Sequence, residues 1–215
     1  MTTPTPTGPA PDEIQTLLSL LRAHAAGILR CDETPEPIRF VYSRQDQGVI
    51  LPLEPRLLDS DQFLLCLPDD SFDLSVRALL HVVALNDERE IDRDRHMAYH
   101  GSTTEGVWVL GRIEHAHSAS GLVIDGELLT EPGSLAADEP RLCKRLNADR
   151  AALADAIELF AGVRIAEPLA VGVDPHGFDV RARHGIVRVA FPSPCTNGDT
   201  AARVISTMIE PSDGA

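Results

Sequence analysis

Apolar residues near the start of the chain recur at steps of three and four. Ile14, Leu17, Leu18, Leu21, Ala25 and Ile28 share one helical face, and Asp12 can cap it, so the spacing predicts a helix over 12–29. Two prolines between Cys31 and Pro37 end it. Short strand-like pieces follow at 38–42, 48–51, 62–67, 80–85, 106–115 and 122–129. The polar run Arg44-Gln45-Asp46-Gln47 separates the first two, and Asp125-Gly126 is a hairpin dipeptide in the last. Residues 73–79 read as a short helix, and the alternating charges of 87–95 as a solvated helix or loop. Many short strands between turn signals, with helices on the flanks, predict a small barrel rather than a doubly wound sheet.

The last third has a clearer pattern. Leu142, Leu146, Leu153, Ile157 and Phe160 form one helical stripe that stops at Gly162, a residue suited to a C-cap. A strand is predicted over 169–173, then the turn Asp174-Pro175-His176-Gly177. Phe178, Val180 and Ala182 alternate with Asp179, Arg181 and Arg183; Val187, Val189 and Phe191 alternate with Ile186, Arg188 and Ala190. These are two half-buried strands of a meander. Pro192-Ser193-Pro194 stops the sheet, and Asn197 or Asp199 caps a final helix with Ala201, Val204, Ile205, Met208 and Ile209 inward. The order is helix, three strands, helix, with each helix expected to cover one face of the sheet. Residues 131–140, rich in Pro, Gly, Ala and acid, read as a linker. The expected division is a lead-in without stable structure over 1–11, a barrel-like domain over 12–133 and an αβββα domain over 134–215.

Composition narrows the partners. The 215 residues carry 33 acidic against 19 basic side chains, a formal net charge of −14. That field repels polyanions, so nucleic acid and anionic membrane are poor partners. No apolar run is long enough to span a bilayer, and the Thr/Pro/Gly-rich start resembles neither a signal peptide nor an anchor, so the expected location is the cytoplasm. Cys31, Cys66, Cys143 and Cys195 lie far apart and are expected as reduced thiols.

Candidate chemistry is sparse. His96 and His100 are spaced i, i+4, and His115 and His117 are spaced i, i+2, so each pair could share a face, but nothing in the spacing brings the pairs together. His24, His176 and His184 are candidate ligands by residue type alone. The segment from Gly101 to Gly106 lacks the lysine and following helix of a phosphate loop and reads as a hairpin loop. Gly-x-Ser-x-Gly is absent, and Asp69-Asp70 sits at a turn. Trp108 is expected to fill the barrel core. No catalytic constellation or metal site emerges.

Leu-Asn-Ala-Asp at 146–149, Gly-Val-Asp-Pro-His-Gly-Phe-Asp-Val-Arg at 172–181 and Val-Arg-Val-Ala-Phe-Pro-Ser-Pro at 187–194, in this element order, resemble the small C-terminal domain of the HugZ-like haem-utilisation family. The resemblance covers 141–210. It implies an α+β fold: an N-terminal split β-barrel of the pyridoxamine-phosphate-oxidase (FMN-binding) type with flanking helices, followed by the αβββα domain. It also implies a homodimer paired through the barrel and haem or a related tetrapyrrole as ligand. Where the family helix opens His-Met-Asn-x-Asp-His, this chain has Arg145-Leu146-Asn147-Ala148-Asp149-Arg150. A guanidinium does not readily ligate iron, but it can grip a propionate or phosphate through two donors. Arg145, Asn147 and Arg150 are therefore the candidate cofactor-binding residues. Arg150 stands beside the apolar stripe, and Asn147 and Asp149 also suit helix caps. FMN fits less well, because Arg39, Arg44, Arg56 and Arg77 do not reproduce a split-barrel flavin-phosphate set. Three readings follow. The first is a haem- or tetrapyrrole-linked binding protein without assigned turnover. The second is an FMN-dependent oxidoreductase. The third is a ligand-free regulatory or scaffold dimer, towards which the arginine replacements shift weight.

Overall fold

The computed structural model describes residues 11–44, 46–68, 76–85, 90–101, 105–129 and 135–209. The expected lead-in lies outside them except for Pro11, as does Gln45 of the predicted polar turn. The chain divides into two compact units, 1–87 with 104–130 and 88–103 with 131–215. Residues 88–103, placed with the barrel by the sequence pattern, group with the C-terminal unit.

The first unit is a curled antiparallel half-barrel, consistent with a split barrel. It contains helix α1 (Pro11–Arg22) and strands β1 (Ala26–Cys31), β2 (Thr34–Arg39), β3 (Val41–Tyr42), β4 (Gly48–Leu53), β5 (Phe63–Leu67), β6 (Val76–Ala84), β7 (Val107–His117) and β8 (Val123–Asp125). The strand order is β2-β1-β5-β6-β7-β4-β3, with β8 on β7. Leu17, Leu18 and Leu21 of α1 join Leu29, Phe40, Leu51, Leu65 and Val109 in its core.

Several sequence expectations are corrected here. The first helix ends at Arg22, not at residue 29, because the burial period changes to two: Gly27, Leu29 and Cys31 are buried. A Cβ at Gly27 would stand 2.6 Å from the Cys66 carbonyl oxygen, so glycine admits the neighbouring strand. Pro35 and Pro37, read as breakers, lie in β2 at the edge of the sheet, where missing N–H donors are tolerated. Residues 76–79 belong to β6 rather than a helix, while 73–75 lie outside the described residues. The strand expected over 122–129 stops at Asp125, and a 3₁₀ turn follows over Gly126–Leu129. Trp108 is half-buried and stands outside the core cluster, since Val107 and Val109 take the inward positions.

The second unit contains α2 (Glu90–His100), α3 (Glu139–Leu146), α4 (Arg150–Ala161), β9 (Leu169–Asp174), β10 (Gly177–Ala182), β11 (Gly185–Ala190) and α5 (Gly198–Ile209). The sheet order is β11-β10-β9, all antiparallel. Phe178, Val180 and Val189 project from one face into a single core with Leu142 and Leu146 of α3, Leu153 and Ile157 of α4, and Ala201, Ile205 and Met208 of α5. The expectation of one helix per face is thus corrected: α3, α4 and α5 share a face, and α2 meets the residues of the other.

The long stripe from Leu142 to Phe160 is split between two helices. Asp149 caps α4, its Oδ1 accepting from the N–H groups of Ala151 and Ala152 at 3.0 Å each. Gly162 ends α4 at φ 69°, where glycine carries no Cβ penalty. Phe160 is exposed, so the buried stripe ends at Ile157. Part of the expected linker is structural too: Leu135 and Glu139 are buried, while 131–134 lie outside the described residues. Asn197 rather than Asp199 caps α5, accepting from the Thr200 N–H at 2.9 Å.

Candidate functional site

The sheet face opposite the apolar core is a buried polar network. Asp179 on β10 and Arg188 on β11 are register partners, and Gly172 on β9 lies across from Asp179. Arg188 forks between Asp179 at 3.2 Å and Asp174 at 2.5 Å. From α2, the Tyr99 hydroxyl donates to Asp179 Oδ2 at 2.7 Å and accepts from Arg95 at 3.0 Å. Arg95 Nε also meets Glu139 at 3.3 Å, and Glu139 accepts from the Val173 N–H at 3.2 Å. Asp92, His96 and Tyr99 are buried along α2, so the solvated segment expected over 87–95 is corrected by a polar stripe turned inward.

Burial disfavours the charged forms of Arg95 and Arg188, yet both are held above the usual arginine range. Around Arg95 the opposing influences are Tyr99, Glu139 and Asp179; around Arg188 they are Asp179 and Asp174. Tyr99 is held well above the ordinary tyrosine range. Burial is the main cause and Asp179 and Glu139 add to it, while Arg95 acts in the other direction. The native state therefore binds this proton more tightly than the unfolded chain does. That stabilisation is fully present below about pH 10, the unfolded value, and is lost as pH rises through the folded value. Absorbance at 295 nm is expected to superimpose for wild type and Tyr99→Phe near pH 10. The extra wild-type step should emerge only above it, together with unfolding. A wild-type step near pH 10 that Tyr99→Phe lacks would contradict this.

The three predicted binding residues do not converge on one ligand position. Arg145, exposed on α3, donates to Ser206 Oγ of α5. Asn147 clasps β9: its Nδ2 donates to the Ala170 carbonyl at 2.9 Å, and its Oδ1 accepts from the Ala170 N–H at 2.8 Å. Arg150, at the first position of α4, is exposed and lines a groove of about 940 Å³.

That groove is lined by the apolar residues Val163, Ile165, Leu169, Ile186 and Val187 and by four arginines, Arg150, Arg164, Arg181 and Arg183. His184 stands on its lining, and Glu167 is its one carboxylate. Arg164 pairs with Glu158 at 2.7 Å. Arg150 and Arg183 have no side-chain partner among the described residues. A cationic, partly apolar concavity on a chain of net charge −14 is suited to an amphipathic anion. Arg150, and His184 by residue type alone, were legible as candidates. The other cations come from a strand end, a turn and a loop that only the tertiary fold assembles.

Other candidates resolve simply. The His96 and His100 rings lie 4.5 Å apart on α2, but no group of three or more metal-ligating side chains occurs among the described residues. Gly101 closes α2 at φ 71°, so the segment beginning there follows a helix and is not the expected hairpin loop. Residues 69–70 and 102–104 lie outside the described residues. All four cysteines are free, and burial, then Glu36 and Asp32 against Arg56, pushes the Cys31 thiol up to about 11. No described helix is long and apolar enough to cross a membrane.

The class defined by these observations is a split-barrel-like half joined to a small α/β unit bearing a basic groove. Among solved structures, the chain is similar to the protein Atu2129 of unknown function from Agrobacterium tumefaciens str. C58. The identity is 15% and the TM-score 0.72, over 97% of this chain and 100% of that one. This likeness shows the shared fold. A heme binding protein from Mycobacterium smegmatis aligns at 19% identity with a TM-score of 0.43, over 94% of this chain and 97% of that one. No protein-family model matches the chain. No curated protein matches it.

Proposed function

We propose that this chain is a binding protein for an amphipathic tetrapyrrole carboxylate, with haem as the representative ligand and no turnover assigned. The groove carries this reading. Its volume falls within the ordinary range for organic ligands, roughly 300–1,000 Å³. Val163, Ile165, Leu169, Ile186 and Val187 supply apolar surface for a ring, and Arg150 and Arg183 supply donors for two carboxylates. His184 would supply an imidazole able to ligate the iron of a ferric tetrapyrrole. The residues present therefore fit the group. The resemblance of 141–210 to the haem-utilisation family points to the same ligand class, with recognition moved from imidazoles to guanidiniums.

Titration with hemin and with iron-free protoporphyrin, followed by visible absorbance, tests this. Saturable binding at one ligand per chain is expected, weakening as salt rises. Arg150→Glu with Arg183→Glu should reduce affinity for both ligands at least tenfold, the scale of one charge-assisted hydrogen bond, about 1.5–3 kcal/mol. Absence of saturable binding, or unchanged affinity in the double variant, would remove the groove as a tetrapyrrole seat.

A further inference from the structure

Arg181 belongs to two features at once. Arg181 is among the residues that line the groove, and its Nη1 donates to the Ala98 carbonyl at 2.6 Å. Ala98 lies in the last turn of α2, whose carbonyls carry the negative end of the helix dipole. Gly101 closes that turn, its N–H donating to the Met97 carbonyl at 2.8 Å, and a Cβ added there would stand 3.6 Å from Arg181 Nη1. One residue along from Ala98, Tyr99 bonds to Asp179, two residues before Arg181 on β10. The end of α2 is thus fastened to a single strand by two adjacent side-chain links, and one of them is a groove cation.

We infer that groove occupancy is coupled to the docking of the last turn of α2, with Arg181 shared competitively between the Ala98 carbonyl and an anionic ligand. This regulatory link rests on the proposed anion-binding reading of the same groove. A carboxylate or phosphate oxygen is a stronger acceptor for a guanidinium than a neutral carbonyl. A bound anion therefore draws Arg181 inward and leaves the Ala98 carbonyl to water. The last turn of α2 keeps its Tyr99 link but loosens, while Arg95, paired with Glu139, holds the rest of the helix. Coupling is reciprocal: removing the Ala98 contact makes Arg181 more available to the ligand.

Hydrogen exchange over 95–101 in the full chain is the test, with inorganic pyrophosphate and, separately, hemin as probes. Either bound probe is expected to speed exchange in wild type by about tenfold, within the usual range of allosteric coupling. Arg181→Met should show the faster exchange without ligand, bind more weakly and respond no further. Arg183→Met should bind more weakly but keep wild-type exchange when free. A probe that binds and leaves the turn unchanged or more protected overturns the coupling alone, as does Arg181→Met with wild-type exchange. Failure of hemin to bind while pyrophosphate binds and loosens the turn supports the coupling and overturns the tetrapyrrole reading. Failure of both probes to bind overturns both.

Discussion

Arg188→Met is expected to destabilise the second unit by about 3–5 kcal/mol, the usual cost of removing one partner from a buried ionic group. Arg188 forks between Asp174 and Asp179, and the three side chains are only 12%, 15% and 13% exposed. Methionine fills much of the same volume but strands two carboxylates close together. Asp174 keeps an acceptor bond from the His176 N–H at 2.8 Å, and Asp179 keeps the Tyr99 hydroxyl, so neither is left without a donor. Neither of these two bonds supplies a positive charge. The destabilisation should shrink as pH falls, because protonation removes the stranded charges. Arg188→Lys should retain part of the stability, since an ammonium cannot reproduce the planar fork. Combining Arg188→Met with Asp174→Asn and Asp179→Asn should recover most of it, because breaking a buried pair costs more than replacing the whole group. Urea unfolding at neutral and acidic pH measures each outcome. A cost below about 1 kcal/mol would mean that the group behaves like a solvated surface pair.

The second large effect is expected at Gly172. A Cβ there would overlap the Tyr99 hydroxyl, lie 2.8 Å from Tyr99 Cζ and lie 3.2 Å from Glu139 Oε1. Tyr99 has little room to yield, being buried and bonded to both Asp179 and Arg95. Gly172→Ala should therefore cost about 3 kcal/mol, combining overpacking with weakened buried hydrogen bonds. Exchange should accelerate across α2 more than in α3 or α5, because α2 is the helix held by Tyr99. Tyr99→Phe alone should cost about 1–3 kcal/mol through the donors and acceptors it leaves unmet. The double variant should be about 1 kcal/mol more stable than the sum of the singles predicts, since removing the hydroxyl relieves the worst overlap. Relief is partial because Cζ remains too close. Strict additivity in a denaturation cycle would contradict direct contact between these positions.

Both predictions concern residues whose role was hidden by their polarity. In α2, Asp92, Arg95, His96 and Tyr99 recur at helical spacing, but such a stripe in a charged segment reads as a solvated face. Its burial depends on partners far along the chain: Glu139 beside Arg95 and Asp179 beside Tyr99, the latter 80 positions away. The groove was legible only at Arg150 and, by residue type, at His184, because Arg164, Arg181 and Arg183 look like ordinary surface charges until a loop, a strand end and a turn surround one concavity. Asn147 was visible both as a binding residue and as a cap. Its two bonds to Ala170 show a further use, fastening α3 to β9.

By itself, the sequence determined the elements whose side-chain period matches their burial. The three-strand meander with its final helix, the Asp174–Gly177 turn, the alternation through β10 and β11 and the Gly162 stop could all be read, because each depends on neighbours a few residues apart. A small barrel was legible from many short strands together, while its split-barrel type came only from the resemblance carried by 141–210. The tertiary structure alone decided that 26–31 pair as a strand instead of prolonging α1, since strand partners on both sides outweigh local helical spacing. It also decided that α3, α4 and α5 share one sheet face, and that α2 joins the second unit through buried charges. Those outcomes depend on long-range pairing and desolvation, which local sequence periodicity does not encode.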